Sequence, residues 1–182
     1  MAIVVVGGSG KDVGKTALVC AVIGALREFA WTAVKIRGHD YGPESSGETT
    51  REVWEETQAG QETDTARYLA AGARRALLVT RRGAEVPGGE IGRAIGADRN
   101  VIFESNRMVD VLKPDVCLAL MGEGAEEKPS FLRLLRAADA VVSVGGEARD
   151  GPAGGRGFRL QTVDQLSAEM VEWLRGRLGA GG

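Results

Sequence analysis

The chain opens with M-A-I-V-V-V-G-G-S-G-K-D-V-G-K-T, residues 1–16, and the reading of this stretch decides the fold. Residues 2–6 are an unbroken apolar run, the pattern of a strand buried on both faces of a parallel sheet. They lead into a glycine-rich stretch ending in Gly14-Lys15-Thr16, and residues 17–29 then read as a helix. A strand, a glycine loop closing on Gly-Lys-Thr, and a helix together make a phosphate-binding loop. Glycine lets backbone N–H groups face phosphate oxygens with no Cβ in the way, and the helix N-terminus adds its positive dipole end. In this pattern Lys15 reaches the β- and γ-phosphates and the Thr16 hydroxyl ligates Mg²⁺. The strict spacing asks for glycine at position 9, where Ser9 stands between Gly8 and Gly10. Counted from Gly8, the loop is one residue longer. The competing reading is a plain strand-to-helix turn with an incidental Lys-Thr; the strand–loop–helix context favours phosphate binding.

At 182 residues the chain is long enough for one full core. We expect a single domain over residues 1–178 and a disordered tail at 179–182. A formal net charge of -2 and a pI near 5.6 argue against a general nucleic-acid surface. No apolar run is long enough to span a membrane and no basic region precedes the first apolar stretch, so a cytoplasmic protein without signal peptide is expected. Cys20 and Cys117 sit in apolar contexts without a C-x-x-C partner, as buried small hydrophobes do.

Further strands are expected at residues 32–36 (T-A-V-K-I), 76–80 (A-L-L-V-T), 100–104 (N-V-I-F-E), 115–120 (D-V-C-L-A-L) and 140–144 (A-V-V-S-V). Helices are expected at 66–71, 129–137 and 163–178, with a helical turn or two at 90–95. Residues 38–61 form a long polar loop, with a short helix at 50–57, and 145–157 form a Gly- and Arg-rich loop that is a candidate nucleobase contact. Strands alternating with helices give an α/β fold, a mostly parallel sheet with helices on both faces. In such folds ligands sit at the carboxyl ends of the strands. That rule gathers the loop, Lys35, Glu104 and the 38–61 segment around one crevice.

Lys35 and Glu104 each have two readings. Lys35 is either a ligand-binding group or a solvated strand-end lysine. Asp64, in Thr63-Asp64-Thr65, reads as part of a helix cap. Glu104 is either a Mg²⁺ partner or a surface acid at a strand end. His39, the one histidine, reads as a loop residue rather than a metal ligand.

The loop Gly8-Ser9-Gly10-Lys11-Asp12-Val13-Gly14-Lys15-Thr16 resembles that of dethiobiotin synthetase, G-T-D-T-x-V-G-K-T, which has the same extra residue. There, a lysine ends the second strand, an Asp opens the following helix and a Glu ends a later strand. The resemblance implies that Thr16, Asp64 and Glu104 hold Mg²⁺, with Asp40 as the substitute for Asp64, and that Lys35 works beside Lys15 in catalysis. The body of the chain is similar to the molybdopterin-guanine dinucleotide biosynthesis protein B family, on A-V-K-I-R-G-H-D (residues 33–40), D-T-A-R-Y-L-A-A-G-A (64–73) and V-I-F-E-S-N (101–106). Two departures stand out: Ile36-Arg37-Gly38 replaces denser histidines, and Ser105-Asn106 follows Glu104 where glycine is expected.

Together these imply a three-layer P-loop NTPase fold. The expected function is Mg-dependent binding and slow hydrolysis of GTP or ATP, as an adaptor to a partner protein in molybdenum cofactor biosynthesis. The alternatives are an ATP-dependent enzyme phosphorylating a small carboxylate or carbamate, and a nucleotide binder without turnover. No N-K-x-D guanine signature is present, so the base is not readable. A homodimer is expected only by analogy.

Overall fold

In the computed structural model, which describes residues 1–39, 53–82, 86–122, 128–145 and 147–179, eight strands form one sheet. The strands are β1 (Ala2–Gly8), β2 (Thr32–His39), β3 (Val53–Glu56), β4 (Arg75–Arg82), β5 (Asn100–Glu104), β6 (Val116–Met121), β7 (Ala140–Val144) and β8 (Arg156–Leu160). The helices are α1 (Lys15–Ala25), α2 (Asp64–Ala71), α3 (Gly88–Ile95), α4 (Pro129–Arg136) and α5 (Ala168–Gly179). The sheet order is β3-β4-β2-β5-β1-β6-β7-β8, parallel throughout except for β3, which runs antiparallel on β4.

The central strands are solid apolar runs because both of their faces are covered. Val4 and Val6 of β1 face one core, with Leu18, Val22 and Ile23 of α1, Tyr68 of α2 and Leu174 of α5. Val5, between them, faces the other, with Ile91 of α3 and Phe131 and Leu134 of α4. The result is a three-layer α/β architecture around a mixed, mostly parallel sheet.

The structure departs from the sequence expectations at several ends. The 50–57 segment is not helical where described: Val53–Glu56 is an edge strand, and Glu55 is bidentate to Arg75 of β4 through bonds of 2.8 and 2.7 Å. Four residues are too few to display a period, and the open edge of β4 supplies the hydrogen bonds that decide the outcome. The 145–157 segment ends in a strand rather than running on as loop. In β8 only Phe158 and Leu160 turn inward, so its signal is a short alternation inside an Arg- and Gly-rich stretch. Glycine lets this edge come close, since a Cβ on Gly155 would lie 2.4 Å from the Ala138 carbonyl oxygen.

Helix α1 stops at Ala25, and residues 27–29 form one turn of 3₁₀ helix. Helix α5 begins at Ala168, not at 163; Ser167 Oγ accepts the Met170 N–H at 3.2 Å, as an N-cap does. Gly179, expected in the tail, is the last residue of α5, and 180–182 lie outside the described residues. So do 40–52, which carry Asp40 and most of the expected 38–61 loop. Among the described residues no helix is long and apolar enough to cross a membrane.

Candidate functional site

The loop between β1 and α1 is fastened from behind. Asn106, just past β5, accepts the Gly8 N–H at 2.8 Å and donates to the Gly8 carbonyl at 2.9 Å. Ser9 is 1% exposed; its N–H donates to the Leu120 carbonyl at 3.0 Å and its Oγ accepts the Gly122 N–H at 2.9 Å. Gly8 and Ser9 thus tie the loop to β5 and β6, and their N–H groups are already used. Gly10, Lys11, Asp12 and Val13 then form the turn, with Asp12 at φ 59°. Gly14 caps α1 at φ 100°, where a Cβ would also meet Val163 at 2.9 Å. The first intrahelical bond runs from the Leu18 N–H to the Gly14 carbonyl, so the N–H groups of residues 15–17 have no partner within α1. Lys15 Nζ folds back onto the Gly10 carbonyl, and burial lowers the pKa of its ammonium despite the nearby Glu104 charge.

The register of the sheet brings Lys35 and Glu104 together. They are paired residues at the last rung of the β2–β5 ladder, and in a parallel pair such partners share a face. Val34 and Phe103 face the α3–α4 side, so Lys35 and Glu104 face α1 and α2. Lys35 is not at the end of β2, as the sequence suggested: the strand runs on to His39 beside β4, past the end of β5. Only its β5 neighbour has ended, which opens the space Lys35 occupies.

Helix α2 brings in Asp64. Thr63, not Asp64, caps this helix, its Oγ1 accepting the Ala66 N–H at 3.0 Å. The carboxylate of Asp64, on the first helical residue, is free to reach across. Thr16 Oγ1 lies 3.0 Å from Asp64 Oδ1 and 2.9 Å from Glu104 Oε2. Lys35 Nζ lies 2.9 Å from Asp64 Oδ2, contacts Glu104 Oε1, and is 3.5 Å from Thr16 Oγ1. Burial raises the pKa of Asp64, but the Lys35 and Thr16 hydrogen bonds and the Lys35 and Arg67 charges outweigh it, so the net direction is down. Glu104 is 2% exposed and therefore not a surface acid.

Tyr68 completes the set, and nothing in the sequence reading singled it out. Its hydroxyl donates to Glu104 Oε2 from a fully buried ring. Burial and the adjacent Glu104 charge push the phenol far up, so it remains a donor. The available signal was its spacing: Tyr68 follows Asp64 by four residues, which puts both on one face of α2. Asn106 had no comparable signal, because its role depends on β5 lying beside β1.

These groups line a crevice of about 780 Å³ at the carboxyl end of the sheet, which continues past Lys35 to Arg37 and the 41%-exposed Trp54. A second hollow of about 370 Å³ runs along the outer side of α1 past Ala17, Cys20 and Gly24. Its walls are mainly small and apolar, so the chemistry belongs to the crevice.

The donor set suits a hard divalent cation. Octahedral Mg²⁺ holds oxygens at about 2.0–2.1 Å, which makes each edge of the octahedron about 2.9 Å. Both Thr16–carboxylate spacings are ordinary hydrogen bonds, and they leave the three oxygens close enough to share one cation. Among the described residues no three His, Cys, Asp or Glu side chains form an all-protein metal cage.

No protein-family model matches the chain, and no curated protein matches it.

Proposed function

We propose that this protein is a Mg²⁺-dependent P-loop NTPase that binds GTP or ATP in the crevice above α1 and hydrolyses it slowly. The observation that carries the reading is the convergence of Thr16, Asp64 and Glu104, from three separate elements, beside an open glycine-loop helix start. The N–H groups of residues 10–16 would receive the β-phosphate, with Gly8 and Ser9 holding the loop's shape from below. Lys15 would leave the Gly10 carbonyl for the β/γ oxygens and neutralise charge that grows there during transfer. Thr16, Asp64 and Glu104 would hold Mg²⁺, which would supply positive charge against the phosphate. Lys35 and Tyr68 fix the orientation of the two carboxylates. Positioning and electrostatics suffice for phosphoryl transfer, so no covalent nucleophile is required.

The resemblance to the molybdopterin-guanine dinucleotide biosynthesis protein B family suggests the physiological setting, an adaptor working with a partner protein in molybdenum cofactor assembly. A second reading has its own support. The crevice extends past Lys35 to Arg37 and Trp54, which would leave room for an anionic acceptor beside a nucleotide. That would suit an ATP-dependent enzyme phosphorylating a small carboxylate or carbamate, and it predicts ADP formation that depends on one such compound.

The test is calorimetric titration of ATP and GTP, with and without Mg²⁺, into wild type and Lys15→Ala. Binding by wild type that is strengthened by Mg²⁺ and weakened by the substitution is expected. Equal binding by both proteins, or none by either, refutes the reading.

A further inference from the structure

The ammonium of Lys35 sits among the three groups to which the metal is assigned. It pairs with the outer oxygens of both acids, Asp64 Oδ2 at 2.9 Å and Glu104 Oε1, while the inner oxygens face Thr16. Thr16 has one hydroxyl proton and two carboxylate oxygens within hydrogen-bond reach, so it can satisfy one acid at a time. The cation that holds the second acid in place is Lys35. The side chain of Lys35 is 17% exposed and Glu104 is 2% exposed, so screening is weak on the Glu104 side, while Asp64, 40% exposed, meets solvent. The crevice lining carries five cationic side chains, Lys11, Lys15, Lys35, Arg37 and Arg67, against four carboxylates, Asp12, Glu62, Asp64 and Glu104. A divalent cation entering alone would add two positive charges to a region that is not negative. A triphosphate reverses that balance.

We propose that Lys35 is the built-in counter-ion of the Asp64–Glu104 pair, and that it keeps divalent cations out until a polyphosphate is present. Metal and nucleotide then enter as one unit, and Lys35 turns from the carboxylates toward the phosphate. This rests on the nucleotide reading above for the identity of the polyphosphate. The exclusion itself rests only on the Lys35 geometry.

The probe is Mn²⁺, followed by loss of the free-ion paramagnetic resonance signal in full-length protein without nucleotide. Wild type and Lys35→Arg, which keep the charge, are expected to bind Mn²⁺ weakly. Lys35→Met and Lys35→Gln, which remove it, are expected to bind at least about tenfold more tightly, a gain that Asp64→Asn abolishes. Mn²⁺ binding to wild type as tight as to folded Lys35→Met overturns the proposal, as does a gain that survives Asp64→Asn. Should both neutral variants unfold by circular dichroism, wild type decides. Tight nucleotide-free Mn²⁺ binding that Asp64→Asn removes overturns the idea, and nucleotide-free binding no tighter than that of Asp64→Asn supports it. Failure of the nucleotide reading shows up separately, as no ATP or GTP binding in the calorimetric titration, while the Lys35 comparison needs no nucleotide.

Discussion

Replacing Tyr68 by phenylalanine removes one oxygen and leaves the ring, so it isolates the hydrogen bond to Glu104. The ring is buried between α2 and the sheet, and phenylalanine refills the same volume without opening a cavity. A hydrogen bond to a charged group contributes about 1.5–3 kcal/mol net. Glu104 Oε2 retains the Thr16 hydroxyl at 2.9 Å, which places the loss in the lower half of that range, about 1.5–2 kcal/mol. Unfolding entropy near the melting point is about 2.1 cal/mol/K per residue, or about 0.38 kcal/mol/K for this chain. The melting temperature should therefore drop by about 4–5 °C at neutral pH. The assay is paired thermal and urea denaturation of wild type, Tyr68→Phe, Glu104→Gln and the double variant. With a neutral acceptor at 104 the Tyr68 bond is weaker, so the cycle should show coupling between the two substitutions of about 0.5–1.5 kcal/mol. A Tyr68→Phe cost below about 0.5 kcal/mol, or costs that simply add, would mean that Tyr68 does not hold the carboxylate.

Gly14→Ala forces a Cβ into left-handed backbone and onto Val163 at 2.9 Å, so it should destabilise the fold by about 1–3 kcal/mol and weaken nucleotide binding, both read on one purified variant. Asn106→Ala strands the Gly8 N–H and carbonyl together; a loss of about 1–3 kcal/mol in urea denaturation is expected, and a neutral result would show the loop is not fastened there. The pKa of Asp64 is lowered in the folded protein, so its contribution to stability is complete above the ordinary carboxylate value of 3.8 and is lost as pH falls through the lower folded value. Wild type should consequently lose stability more steeply than Asp64→Asn in that acid window, as measured by urea midpoints across pH. The lowered pKa of Lys15 means that the charged form phosphate needs is lost below the ordinary 10.5. Nucleotide affinity should fall at alkaline pH, and binding there should take up a proton, detectable by calorimetry in buffers of different ionisation enthalpy.

Much of the frame was readable because strand and loop chemistry is local. The run at residues 2–6 is apolar at every position because both faces of β1 are covered, and the Gly14 kink is written in the residue itself. Glu104 was identifiable by its place at a strand end and Asp64 through the family resemblance, although which groups they touch was not. What escaped depends on pairing between distant segments. Val53–Glu56 becomes a strand only because β4 offers an edge, and Arg156–Leu160 only because β7 does. Ser9 looked like part of the phosphate cradle. Its side chain and N–H instead point back to Gly122 and Leu120, which cannot be known until β6 is placed beside β1.

The two acids are held to different degrees, and that difference assigns them different work. Glu104 is enclosed and contacted by Lys35, Thr16 and Tyr68, so its carboxylate has one position available. Asp64, with its side chain 40% exposed at the start of a helix, is hydrogen-bonded among the described residues by Thr16 and Lys35. A cluster that must exchange one cation for another needs one fixed ligand to keep the geometry and one that can follow the charge. Glu104 on β5 is built for the first role and Asp64 for the second. The loop enters the exchange from the opposite side. Lys15 is parked on a carbonyl of its own loop, a neutral acceptor that a phosphate oxygen outcompetes because its negative charge strengthens the bond. On the proposed reading, arrival of a polyphosphate would offer both lysines a better partner at once, and the acids would be released to the metal only at that moment.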